Sequence, residues 1–279
     1  MPLVSSREML LSAQKGRYAV CAFNAENLEM VQAILEGAEA LNAPVFLQTT
    51  PSTLRYAPPA LFAGMASRLA GSLKVPVALH LDHGDSLSLV EQCLWEGYTS
   101  IMIDGSKLPF SDNVTLTRQT VALACGIPVE AELGTLGGKE DDYSAKPQYT
   151  DPAEAAEFAE RTGIASFAVA IGTAHGIYKG EPRLDLELLE RIRSAVSVPL
   201  VLHGTSGVPP EKVRACIALG ICKVNYATDL RMRFTNAVKT YLAGHPEQYD
   251  PKKYLGPARD AVRDQVMELI RLCGSEGKA

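Results

Sequence analysis

Eight times along this chain a short, nearly unbroken apolar run is followed by a longer segment whose apolar residues recur at helical spacing. That alternation constrains the fold more than any other feature. The runs fall at residues 18–23, 44–47, 77–81, 100–103, 129–131, 166–171, 200–202 and 223–225. The helical patterns follow at 28–41, 59–73, 88–95 and 114–124, from 151 onward, and at 186–194, 209–219 and 230–242. Runs without in–out alternation are buried on both faces, as in a parallel sheet covered by helices. Eight such units predict an α/β fold of the closed (β/α)8 TIM-barrel type rather than an open sheet. No G-x-G-x-x-G opens a helix after a strand, which weighs further against a dinucleotide fold.

The 279 residues suit one barrel of about 250 residues with an addition. The chain reads as a single domain over 1–279. Two features lie outside the barrel count: a Gly-rich, charged loop at 134–150, and a C-terminal helical extension at 245–279 with a helix over about 257–272. At 21% charged and 47% apolar residues the chain is globular rather than disordered. Its net charge of −5 disfavours nucleic acid and anionic membranes as partners. No apolar stretch approaches the roughly 18 residues that span a bilayer. The six cysteines include no C-x-x-C pair and read as reduced, buried thiols. With no charged-then-apolar leader pattern at the start, the expected location is cytoplasmic.

Barrel active sites form at the C-terminal ends of the strands. Those ends read Asn24, Gln48, Asp82 with His83, Asp104, Glu132, His175, His203 and Asn225. Four of the five histidines (His80, His83, His175 and His203) fall at or just before strand ends. Any one alone reads as a hydrogen-bonded barrel histidine. Converging from strands three, six and seven, His83, His175 and His203 would instead make an open zinc site with a fourth position for substrate. His80, two positions before Asp82, lies deeper and takes a structural role. The turns His203-Gly-Thr-Ser-Gly207 and Asn225-Tyr-Ala-Thr-Asp229 follow strands seven and eight, the usual phosphate site of these barrels. Each also reads as an ordinary βα turn.

These residues resemble a known family. The segments 18–24 (YAVCAFN), 80–84 (HLDHG), 130–142 (EAELGTLGGKEDD), 172–179 (GTAHGIYK), 202–207 (LHGTSG), 223–229 (KVNYATD) and 249–259 (YDPKKYLGPAR) are similar, in this order, to motifs of the class II, zinc-dependent ketose-bisphosphate aldolases. The resemblance implies that His83, His175 and His203 hold Zn²⁺, with Asp104 and Glu132 forming an alternative resting site. It implies Asp82 as the acid/base at the cleaved bond and Glu140, on the Gly-rich loop, as the base at the dihydroxyacetone carbon. Asn24, Gly176, Lys179, Gly204, Thr205, Ser206, Asn225, Ala227 and Thr228 would surround the dihydroxyacetone phosphate, with a monovalent cation (Na⁺ or K⁺) beside its phosphate. The products would be dihydroxyacetone phosphate and glyceraldehyde 3-phosphate. The resemblance also implies a homodimer or homotetramer. A non-catalytic aldolase subunit, which some members need, is a further partner.

The chemistry agrees: one carboxylate serves the C4 hydroxyl and a second the carbanion carbon, while a Lewis acid stabilises the enediolate. Asp141 and Asp142 read as solvated loop charges. Thr49-Thr-Pro-Ser-Thr53 is similar to the tagatose group, whereas Gly84, Lys179-Gly180 and Leu255-Gly-Pro-Ala-Arg259 are similar to the fructose group, so both sugars stay open. Tyr226, where the family has Val or Ile, is read as narrowing the pocket. Arg259 at a helix start suits the far phosphate, in a neighbouring subunit's site; its other reading is a solvated or interface ion pair. Three rivals compete. A Schiff-base enzyme would use Lys223 but leaves the histidines unexplained. A metal hydrolase needs an H-x-H pair on the first strand, which ends Phe23-Asn24. A silent subunit should have lost the ligands.

Overall fold

The computed structural model describes residues 3–140, 143–144, 148–178 and 180–279; of 138–140 and 143–144 only the backbone course is described. Eight parallel strands close into a barrel: β1 (Val20–Asn24), β2 (Val45–Thr49), β3 (Val77–Gly84), β4 (Ser100–Ile103), β5 (Val129–Leu133), β6 (Ser166–Val169), β7 (Leu200–Leu202) and β8 (Ile221–Tyr226). Pairing of Val20 with Lys223 and of Ala22 with Asn225 joins the last strand to the first. The helices are α1 (Ser6–Gly16), α2 (Leu28–Ala40), α3 (Pro51–Tyr56), α4 (Pro59–Ala70), α5 (Leu87–Trp95), α6 (Phe110–Leu123), α7 (Pro152–Thr162), α8 (Leu186–Ala195), α9 (Pro210–Ala218), α10 (Thr228–Gly244) and α11 (Pro251–Leu272). The fold is the expected TIM barrel. Among the described residues no helix is long and apolar enough to cross a membrane.

Local chemistry sets the ends of these helices. Asn27, Ser86, Asp151 and Asp185 cap α2, α5, α7 and α8 by accepting backbone N–H bonds, each such cap contributing about 1 kcal/mol. The long C-terminal helix differs from the expected one. It begins at Pro251 behind an Asp250 cap, and Pro257 lies inside it. Arg259 is therefore in the helix interior, not at its start. α11 packs on α2 and α10, and the fit to α2 is close: a Cβ on Gly37 would lie 2.8 Å from Val266 Cγ1.

Two helices are additions to the expected eight units. α3 precedes α4 behind a Thr50 cap. α1, capped by Ser5, seals the bottom of the barrel, where Met9, Leu10 and Ala13 cluster with Val20, Ala22, Phe46, Ala78 and Cys222. Burying a Leu or Met side chain is worth about 1.5–3 kcal/mol, so a few residues suffice to seat the plug. Part of the described backbone within 134–150 is strand, where a loop was expected. Gly137–Glu140 pairs antiparallel with Tyr143–Ser144, and Gly137 and Gly138 pair in parallel with Ala174 and His175. The cysteines form no disulfide, and Cys125 is exposed, unlike the five buried ones.

Halfway up the barrel the interior turns polar. Lys223 Nζ donates to both oxygens of Glu130, at 3.0 and 3.1 Å, and both side chains are sealed from solvent. His80 lies beside them, its Nδ1 2.7 Å from Ser100 Oγ and its Nε2 3.5 Å from Lys223. Burial drives the His80 pKa down, and the Lys223 charge drives it further, so His80 is neutral. Burial raises the Glu130 pKa, but Lys223 and His203 outweigh it and hold the carboxyl well below the usual range. The Glu130 contribution to stability is therefore present above the unfolded value, about 4.3, and is lost as pH falls below it. Glu130→Gln strands a buried cation and should cost about 3–5 kcal/mol in urea denaturation. Adding Lys223→Met should recover much of that loss; a double variant as unstable as the single one would contradict the pairing.

Candidate active site

Asp82 and His83 are consecutive, so a regular strand would send them to opposite faces. The register of β3 against β4 slips between Leu81 and Gly84, and His83 adopts a left-handed backbone, φ 49°. This kink keeps both side chains at the barrel mouth, with His83 Nε2 4.0 Å from Asp82 Oδ1. A non-glycine residue held there costs on the order of 1–3 kcal/mol, and such strain collects at functional sites.

Asp82 is buried and gripped by three amides. Asn24 Nδ2 (2.9 Å) and Gln48 Nε2 (3.1 Å) donate to Oδ2, and Asn225 Nδ2 (3.0 Å) donates to Oδ1. Gln48 also donates to Asn24 Oδ1 at 2.7 Å, locking the amide that it neighbours. The carboxylate is thus fixed in plane and direction by β1, β2 and β8.

His83, His175 and His203 come together as expected, each with a ring nitrogen within 4.8 Å of the others. His83 reaches the cluster from β3 and His203 from the residue after β7. His175 does not end the sixth strand: β6 stops at Val169, and His175 sits in the two-residue strand Ala174–His175 within the following loop. Tyr178 braces that loop, accepting from Ala174 N (2.7 Å) and donating to Gly204 O (2.8 Å). Gly204 has φ +62°, and a Cβ there would meet the Ala174 backbone at 2.7 Å. Only glycine lets loops six and seven approach so closely.

A buried carboxylate and a half-buried one set the imidazole tautomers. Glu130 Oε1 lies 2.9 Å from His203 Nε2, and Asp104 Oδ2 lies 2.9 Å from His83 Nδ1. A carboxylate only accepts, so these nitrogens carry the protons. His203 Nδ1 and His83 Nε2 face each other at 2.8 Å, a separation that calls for a shared proton or a cation between them. Burial lowers the His203 pKa, although Glu130 partly opposes this, which favours the neutral, ligating form. Burial raises the Asp104 pKa, but the bonds from His83 and Ser106 prevail and keep it below the usual range. The donor set fits Zn²⁺, with carboxylates behind the histidines. His83, Asp104 and Glu132 form a second group of donors within 4.8 Å of one another, as expected of an alternative site.

The cleft over this cluster is lined by Asn24, Asp82, His175 and Gly176. Gly204, Thr205 and Ser206 line it from the loop after β7, and Asn225, Ala227 and Thr228 from the end of β8 and the turn after it. Lys179, Asp141 and Asp142 lie outside the described residues, as does the Glu140 side chain. Arg259 does not line the cleft of its own chain. Tyr226 does not narrow it either: next to the inward Asn225, it stacks on Phe23 (5.9 Å) in the outer core. Lys223 is buried in its ion pair below the mouth, out of reach of a Schiff-base role. Sequence reasoning gave no role to Glu130, Gln48, Tyr178 or Arg231, which also lines the cleft.

A barrel with this mouth is that of a carbon–carbon lyase. The chain belongs to the class II fructose-bisphosphate aldolase family, whose sequence pattern matches residues 4–278. It is similar to the YdjI aldolase of Escherichia coli K12, at 36% identity and a TM-score of 0.89, with 99% of each chain covered. The fold is shared with a fructose-bisphosphate aldolase of Campylobacter jejuni at 22% identity and a TM-score of 0.85, covering 100% of this chain and 97% of the other.

If these three histidines hold zinc, His203→Ala should lose it on dialysis, because two imidazoles make a poor site. Asp104→Ala should weaken zinc binding by about 10–100-fold through the ring it orients. Metal analysis and competition titration measure both, and wild-type zinc content in His203→Ala would contradict the assignment.

Proposed function

We propose that the chain is a zinc-dependent aldolase that reversibly cleaves a ketose 1,6-bisphosphate, tagatose or fructose, into dihydroxyacetone phosphate and glyceraldehyde 3-phosphate. The observation that carries this reading is a three-histidine donor set beside a carboxylate clamped by three amides, in a cleft whose other wall is the two turns after β7 and β8. Membership of the aldolase family supports it.

His83, His175 and His203 would hold Zn²⁺, with Asp104 and Glu132 as the alternative site, and the ion would supply Lewis-acid stabilisation of the charge that develops on the dihydroxyacetone phosphate half. Asp82 accepts the C4 hydroxyl proton. As it does so, the C3–C4 bond breaks, its electron pair passes to C3, and the O–H pair forms the aldehyde. Asn24, Gln48 and Asn225 hold Asp82 in the direction this transfer needs. Glu140, at the end of the strand Gly137–Glu140, returns a proton to C3. Gly176, Lys179, Gly204, Thr205, Ser206, Ala227 and Thr228 hold the phosphate of this half, beside which Na⁺ or K⁺ would offset its charge. The start of α10, whose N-cap residue Ala227 has no capping side chain, supports that placement, since a helix N-terminus attracts anions.

Arg259 takes the far phosphate in the site of a neighbouring copy, within a homodimer or homotetramer. Its Nε is buried without a hydrogen-bond partner among the described residues, and its guanidinium is otherwise tied only to Asp260 at 3.3 Å. A chain free of disulfides suits a reducing cytoplasm. The two sugars differ only in configuration at C4, and cleavage assays with each sort them. The same assays show whether a non-catalytic subunit is needed for full rate.

A strong chelator should abolish cleavage, and borohydride with substrate should modify no lysine. Asp82→Ala should keep zinc and lose cleavage by about 10²–10⁴-fold. Activity in metal-free protein would overturn the reading.

Arg259→Ala should raise KM for the bisphosphate by about 10–100-fold. Proton exchange on dihydroxyacetone phosphate should be unchanged, because that fragment lacks the far phosphate. Equal losses in both assays would point to assembly instead.

A further inference from the structure

The cleft is lined by the Asp82 carboxylate and by Gly204, Thr205, Ser206, Ala227 and Thr228 of the two turns. Among the described residues that line the cleft, Arg231 is the one Lys or Arg. It stands in the first turn of α10, where its N–H bonds Ala227 O at 3.1 Å. Side chains in a helix lean toward its N-terminus, which here faces the turns carrying Ser206 and Thr228. The same turn is already stitched together, since Asp229 N donates to Ser206 Oγ at 3.2 Å.

Arg231 is held by a carboxylate. Its Nε donates to Glu26 Oε1 at 2.7 Å, and Nη2 approaches the same oxygen. The other oxygen, Oε2, accepts from Thr53 Oγ1 at 2.7 Å. Glu26 comes from the loop after β1 and Thr53 from α3 after β2, so the guanidinium is linked through Glu26 to a third βα segment. The pair is partly open to solvent, with side-chain exposures of 37% and 29%.

We propose that Arg231 is a second cationic partner, beside Lys179, of the phosphate on the dihydroxyacetone half, and that Glu26, anchored by Thr53, restrains it and sets the threshold for anion binding. This rests on the aldolase reading above and adds a residue to it. A guanidinium can hold a carboxylate on one edge and a phosphate on another. A phosphate brings a charge of about −1.5 to −2 and three acceptor oxygens, so it competes for Arg231 where a neutral ketose does not. The Glu26–Arg231 pair thus selects phosphorylated over unphosphorylated ketone.

The test is proton exchange on dihydroxyacetone phosphate by the zinc-loaded enzyme and three variants. Arg231→Met should raise KM about 10–100-fold, the loss of one charge-assisted hydrogen bond, with kcat and zinc content near wild type. Arg231→Lys should recover part of the KM, keeping the charge but not the fork. Glu26→Gln should lower KM by about 3–10-fold as the restraint is loosened, a gain that misfolding cannot mimic. A wild-type KM in Arg231→Met, or a fall in kcat or zinc without a KM change, overturns the phosphate role. An unchanged or raised KM in Glu26→Gln overturns the restraint. Absence of exchange in the wild-type, zinc-loaded enzyme would instead remove the aldolase reading and this inference with it.

Discussion

The ion pair between Glu130 and Lys223 is the constraint on which the mouth of this barrel depends. Two charges have been drawn into a sealed interior, where leaving either alone costs several kcal/mol. Having satisfied Lys223, Glu130 still accepts from His203, and that bond decides which imidazole nitrogen faces the cleft. A chain of contacts continues through His80 and Ser100 to Ser6 on α1. The orientation of a group at the top of the barrel is therefore tied to the helix that seals its bottom. The interior is layered accordingly: apolar where α1 plugs it, ionic in the middle, and amide and imidazole at the mouth.

Strain and clamping divide the remaining work. A regular β3 could present Asp82 or His83 to the mouth but not both. The left-handed turn at His83 resolves this, and the amides of Asn24, Gln48 and Asn225 immobilise the side chain that would otherwise swing. These donors come from three different strands, so the direction of the Asp82 carboxylate is a property of the closed barrel and not of any local segment.

Most of the architecture is legible in the sequence because strands buried on both faces leave a plain apolar signature, and eight of them admit few closures. The histidines are legible for a related reason: polar residues concentrate where such strands end. What escaped has physical causes too. The Asp250-Pro251 start of α11 carries the same signal as Asp151-Pro152 before α7, but Pro257 further on competes with it as a helix start. His175 lies six residues past its strand because the loop forms a strand of its own, which no apolar run announces. Glu130 had a readable signal: in the five-residue run VEAEL two acids share one face of a buried strand, and Lys223 in ICKVN is its opposite on another. Buried opposite charges predict a pair, yet nothing local says which strands will meet across a closed barrel. Arg231 belongs to a helix that reads as amphipathic, and its importance comes from Glu26 and Thr53, brought beside it only by closure of β8 onto β1.

The short pairing of Gly137 and Gly138 with Ala174 and His175 has a mechanical consequence. The strand that leads to Glu140 hangs from the same backbone ladder that carries one of the three histidines. A door is normally hung on its frame; here it is hung on the lock. Any displacement of that segment must pull on the His175 backbone or break the ladder, so the backbone leading to Glu140 and that of His175 are mechanically joined.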